Sequence, residues 1–169
     1  MTTAEPNSRA ATEQAVAAYL ARADVEHEPG ARPGEFVVTL PGERKLKTAV
    51  SLLVGDHSVS ASAFVVRHAD EEHERVYRWL LERNARLPGI AFALDREGDV
   101  YLVGRLPLAA VDDTTLDALL GAILETSDGS FNELLALGFL SSMKREWAWR
   151  TARGESTRNL DAFRHLLEP

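Results

Sequence analysis

The stretch VYRWLLERNARLPGIAFALDREGDVYLVGRL, Val76–Leu106, decides the fold. Val76, Tyr77, Leu80, Leu81 and Leu87 recur at helical spacing and predict one amphipathic helix. Pro88 disfavours helical backbone at Leu87, and Gly89 releases the chain from the helix. Two alternating runs follow, Ile90–Leu94 and Val100–Leu106, and the short segment Asp95–Asp99 joins them. Gly98 supplies the positive φ that such a turn commonly needs, so the runs form an antiparallel hairpin.

The chain before this stretch reads as a meander. Thr12–Ala23 carries Val16, Tyr19 and Leu20 at helical spacing, and the turn formers of 28–34 follow it. Phe36, Val38 and Leu40 alternate in one strand, and Leu46, Thr48, Val50, Leu52 and Val54 in the next. In Ser58–Val66 the residues Val59, Ala61, Ala63 and Val65 oppose Ser58, Ser60, Ser62 and Phe64. Connections this short allow only antiparallel pairing.

Asp70 is placed to cap a central helix over Glu71–Leu87, whose start collects Glu71, Glu72 and Glu74. Asp112 caps a third helix through Leu116, Leu119, Leu120, Ile123 and Leu124. Asp128-Gly129 is expected to interrupt that helix before Phe131, Leu134, Leu135 and Phe139 begin another. The fold class is therefore α+β: an antiparallel five-stranded sheet packed against helices, in the order α-β-β-β-α-β-β-α-α. The expected organisation is a polar leader over 1–11, a single α+β domain over 12–150, and a tail over 151–169 with a short helix through Leu160, Phe163, Leu166 and Leu167.

Composition narrows the function. The 169 residues suit one domain with a substantial core, and a net charge of −7 argues against a general nucleic-acid binder. The acidity is uneven: residues 1–140 hold 13 Lys and Arg against 22 Asp and Glu, whereas 141–169 hold 6 against 4. No apolar run approaches the ~20 residues of a membrane span. Without cysteine there is no disulfide, thiolate nucleophile or zinc-thiolate site, and a cytoplasmic location is the economical expectation.

Motifs for chemistry are scarce. His68 and His73 stand five residues apart, and on a helix that spacing keeps them from converging on a metal. Asp95, Glu97 and Asp99 lack the longer ligand series of a calcium loop, and a polar hairpin turn accounts for them. There is no Gly-x-Ser-x-Gly elbow and no phosphate-cradling glycine motif. No catalytic residue, metal or cofactor is therefore assigned.

Five side chains remain as candidate binding or polar-core residues. His73 and Asn84 interrupt the apolar arc of the central helix, so each either braces neighbouring backbone or lines a polar pocket. Trp79 flanks that arc and offers a second packing surface. Trp147 and Trp149, among Lys144, Arg145 and Arg150, would face together on an extended segment, although the acidic body favours internal docking over stacking on nucleobases.

The blocks Val76–Asn84, Gly89–Asp95 and Gly98–Leu108, with Asp128–Asn132 and Arg145–Arg150, resemble the YbjN-domain family, particularly its actinobacterial members. The resemblance implies a fold like that of type III secretion chaperones and the label of sensory-transduction regulator; it brings no catalytic motif. The expected function is that of a non-enzymatic cytoplasmic protein-binding or regulatory protein. Its partner is an unidentified protein, with a homodimer as one option, and neither nucleic acid nor membrane is involved. Two alternatives stand beside it: a small-molecule sensor with a pocket between sheet and helices near Asn84 and His73, and an uncharacterised, metal-assisted enzyme.

Overall fold

A computed structural model describes residues 8–168, so the first seven residues of the expected leader lie outside the described residues. Ser8 caps α1, Arg9–Arg22, through its hydroxyl, which accepts from the Ala11 amide at 3.2 Å. The strands are β1 (His27–Pro29), β2 (Glu35–Pro41), β3 (Lys47–Val54), β4 (Ser58–Val66), β5 (Ile90–Leu94) and β6 (Val100–Pro107). They form one antiparallel sheet in the order β1-β2-β3-β4-β6-β5.

The sheet thus has six strands, not five. The extra strand, β1, pairs His27, Glu28 and Pro29 with Val38, Val37 and Phe36. It has no alternating apolar residues, and backbone bonding alone makes it a strand.

The helical layer covers one face of the sheet. Val16 and Leu20 of α1, and Val76 and Leu80 of α2 (His73–Asn84), join a core with Val38, Val50, Leu52, Val59 and Leu102. The long α3, Asp113–Gly138, adds Leu116, Ile123 and Leu134. Asp112 caps it reciprocally: its carboxylate accepts from the Thr115 amide at 2.8 Å, and the Thr115 hydroxyl accepts from the Asp112 amide at 3.0 Å.

Two expected helix boundaries are corrected. The helix does not break at Asp128-Gly129; α3 runs through both, because the Asp128 carboxylate reaches sideways to accept the Arg44 and Lys45 amides at 2.7 and 2.9 Å. The break comes at Phe139, after buried Gly138, where an added Cβ would lie 2.8 Å from that of Ala69. Asp70 does not cap α2. Its carboxylate pairs with Arg67 and accepts from the Ser142 hydroxyl, while Glu71 accepts from the amide and hydroxyl of Ser141. Glu71 thereby satisfies an orphan amide at the start of α4, Leu140–Arg153, Asp70 braces the same turn through a hydroxyl, and α2 starts two residues later. Leu81, placed in the apolar arc by spacing, is 69% exposed, since only the narrow seam of Val76 and Leu80 is buried.

After α4 a 3-10 turn over Arg158–Phe163 leads into α5, Arg164–Leu167. Leu160, Phe163 and Leu167 pack with Met143 as a second apolar cluster against Leu135, Leu140 and Trp147.

Candidate functional site

The pairing of β3 with β4 runs from Val54–Val59 only as far as Val50–Ala63. Beyond it β4 continues through Phe64 to Val66, where its register against β6 also shifts. The sheet is therefore split at this end, and the backbone carbonyl of Phe64 accepts from the Lys45 ammonium. Lys45 stands on the turn between β2 and β3 that Asp128 holds, and its Nζ lies 5.3 Å from the Phe64 ring centroid.

Behind the split lies a groove of about 520 Å³. Its walls are the end of β4, Phe131 and Leu135 of α3, Phe139, Met143 of α4, and Leu160 and Phe163 of the tail. Three charged side chains line it: Lys45, Arg67 and Glu146. Arg67 is bound to Asp70 at 2.6 Å and lies over the Phe139 ring, and Glu146 accepts from Arg150 and Asn159 at 2.8 and 3.0 Å. Lys45 has no carboxylate partner among the described residues, and burial pushes its ammonium below the usual lysine range.

Phe64 belongs to two surfaces at once. It lines the groove, and it also meets Tyr101 edge-on, with ring centroids 5.6 Å apart, on the side of the sheet opposite the helices. On that side Phe64 is 39% and Val103 36% exposed, so no helix among the described residues covers this part of β4 and β6. Apolar groove and open sheet face are thus continuous through one aromatic side chain.

The five candidates named from sequence lie elsewhere. Asn84 is half-buried and clips β5: its Nδ2 donates to the Phe92 carbonyl at 3.1 Å, and its Oδ1 accepts from the Phe92 amide at 2.7 Å. His73 is exposed, and its Nε2 lies 2.7 Å from the Ala69 carbonyl oxygen. The Asn84 carboxamide and the His73 Nε2 are thus committed to backbone. Trp79 donates to Glu133 at 3.1 Å and packs between Phe92 and the Arg83 guanidinium, joining α2, β5 and α3. Trp147 packs in the second apolar cluster while Trp149 is exposed beneath Arg153. Their segment is helical rather than extended, so two-residue spacing sends them to different faces.

The histidine pair is also corrected. His68 precedes the helix, and the loop brings its ring centroid within 5.0 Å of that of His73. Asp95, Glu97 and Asp99 converge as an exposed acidic group, but Asp95 accepts from the amides of Glu97 and Asp99, and Asp99 from that of His68. These carboxylates organise the turn.

The groove residues were not singled out from sequence. Phe64 carried a signal, as a large apolar residue in register with Ser58, Ser60 and Ser62 on the polar side of β4. Lys45 carried none, because its place depends on where β3 and β4 part.

Comparison with known proteins places this architecture. The YbjN family model, described as "Putative bacterial sensory transduction regulator", matches residues 12–136. An uncharacterised protein of Mycobacterium tuberculosis (strain ATCC 25618 / H37Rv) is 56% identical over 138 residues, covering 82% of this chain and 75% of that protein. An uncharacterised protein of Mycobacterium leprae (strain TN) is 55% identical, covering 79% and 72%. Among solved structures, a chain of the ExsC–ExsE complex matches with a TM-score of 0.55 at 18% identity, covering 75% of this chain and 95% of that one. A chain of the HopA1–SchA chaperone–effector complex matches at 0.55 and 13%, covering 74% and 95%. A chain of the ExoU–SpcU heterodimer from the type III secretion system of Pseudomonas aeruginosa matches at 0.51 and 16%, covering 72% and 96%. No helix among the described residues is long and apolar enough to cross a membrane.

Proposed function

This chain belongs to the YbjN family, and from that premise we propose that it is a non-enzymatic, cytoplasmic protein-binding protein whose partner covers the open face of β4 and β6. One observation carries the reading: an apolar groove opens onto an uncovered part of the sheet through Phe64, and no helix among the described residues occupies either. Partly exposed aromatic and apolar side chains grouped on one face are the usual raw material of a protein interface. The shared fold adds support, since the neighbours named above were solved as complexes with other proteins.

The test is site-specific photocrosslinking in the native host, with a benzophenone amino acid at Val103 or, as the remote control, at Glu97 on the hairpin turn. The expected result is one discrete adduct from Val103 alone, identified by mass spectrometry. The purified partner should then saturate binding at a fixed ratio and lose affinity with Val103→Asp. An adduct of twice the chain mass would identify the partner as a second copy. Identical adduct patterns from both positions, or a partner that Val103→Asp does not weaken, would reject the reading.

A further inference from the structure

We propose that the groove behind the β3–β4 split takes acidic, apolar peptide segments, and that Lys45 is the side chain that selects their charge. The inference rests on the protein-binding reading and names the chemistry of the partner. The apolar requirement follows from Phe64, Phe131, Phe139, Met143 and Phe163, which line a space of about 520 Å³. That volume falls within the ~300–1,000 Å³ of pockets that seat ligands, and a methionine among aromatics adapts to side chains of varied shape.

The charge requirement follows from a difference among the lining ions. Arg67 and Glu146 already have ion partners, whereas Lys45 spends its ammonium on the Phe64 carbonyl and the face of the Phe64 ring. An ammonium has three donors, so a carboxylate can be accepted without breaking that bond. An acidic segment brings the missing counter-charge to a half-buried cation. A basic segment would set a second cation against it in partly desolvated surroundings.

The test titrates two probes, a fluorescein-labelled peptide of alternating leucine and glutamate and its leucine–lysine counterpart, into the full chain by anisotropy. Backbone amide shifts locate the binding. The glutamate peptide should bind at least about tenfold more tightly than the lysine peptide, and its affinity should fall with added salt. Shifts should concentrate at 64–67 and 131–143. Lys45→Met should weaken the glutamate peptide about tenfold, Lys45→Arg should restore most of the affinity, and Phe64→Ser should weaken both peptides. Circular dichroism checks that each variant is folded, and the exposed position of Phe64 makes that substitution mild. Equal affinity for the two peptides, shifts elsewhere, or no effect of Lys45→Met would overturn the proposal. If the Val103 crosslink yields its partner while the glutamate peptide fails to bind, this inference falls and the broader one stands; if both fail, both fall.

Discussion

Two interruptions of the sheet's hydrogen-bond ladder, the outer edge of β5 and the β3–β4 split, are each patched by a side chain. At the β5 edge the outward N–H and C=O of Phe92 are taken by the Asn84 carboxamide. At the β3–β4 split the carbonyl of Phe64 is taken by the Lys45 ammonium. The first patch is short, neutral, two-pronged and supported by α2, with Trp79 packed on Phe92. The second is a long, charged chain on an exposed turn, beside an open groove. A neutral amide that matches donor to acceptor seals an edge permanently. A flexible cation fills the gap while leaving donors for a visitor. The β5 edge is thus a closed end of the sheet, and the β3–β4 split is an open one.

The largest effect is expected at the closed end. Asn84→Ala removes both bonds to Phe92 and leaves its amide and carbonyl unpaired beneath α2. We expect a loss of about 2–3 kcal/mol, read from the urea midpoint, together with self-association through the uncapped edge. A loss below about 0.5 kcal/mol would mean that water replaces the clip and that this end is not closed.

Next in size is Gly104→Ala. Gly104 of β6 pairs with Ile90, and an added Cβ would lie 2.8 Å from Leu119 Cδ1 and 3.2 Å from the Gly89 carbonyl oxygen. The leucine can turn aside but the backbone cannot. The expected cost is about 1 kcal/mol in thermal or urea unfolding, overpacking being partly offset by a stiffer unfolded chain. A neutral result would show slack between α3 and the β5–β6 hairpin.

These two ends were not equally legible in the sequence. The closed end was: Val76 and Leu80 at helical spacing, Pro88-Gly89, the alternation of Ile90 and Phe92, and the polarity of Asn84 all mark it. Each is a local pattern whose meaning depends on neighbours a few residues away. The open end was not, because the groove joins Lys45, Phe64, Phe131 and Phe163, and only tertiary packing unites them. The strand β1 was missed for a related reason, since its pairing with β2 is made by backbone without any apolar signature. The helix break expected at Asp128-Gly129 failed because a glycine is tolerated within a packed helix and the aspartate bonds to the Arg44 and Lys45 amides instead.

At the rim of the groove, Asp70 offers a smaller, pH-dependent test of how the open end is held. Hydrogen bonds from Arg67, then from Ser142, lower its carboxyl to about 2. The folded state therefore binds its proton less readily than the unfolded chain, whose aspartates titrate near ~3.9. The stabilisation is fully present above the unfolded value and is lost as the pH falls from about 4 through about 2. Asp70→Asn should cost well under ~1 kcal/mol at neutral pH, because the pair is partly exposed, and should flatten this part of the acid limb of a stability curve. An unchanged acid limb would mean that the Arg67–Asp70 clamp contributes nothing to the groove wall.

The smallest effect, and the one that separates the two patches most directly, belongs to Lys45→Met. The methionine keeps an unbranched stem and removes the charge, so the desolvation it spares offsets the lost bond to Phe64. Stability at neutral pH should change by no more than about 0.5 kcal/mol, against the 2–3 expected for Asn84→Ala. The pH dependence gives a second reading. Burial lowers the folded-state pKa of Lys45, so the unfolded chain holds this proton more firmly. Approaching the ordinary lysine range from below, the unfolded state binds more protons at this site, and stability rises with pH. The native chain should gain on Lys45→Met over that interval. A gain confirms an ammonium held in partly desolvated surroundings without an ion partner, the state in which an incoming carboxylate adds most. A constant difference between the two proteins across the interval would place the ammonium in bulk water and leave the open end without its selective charge.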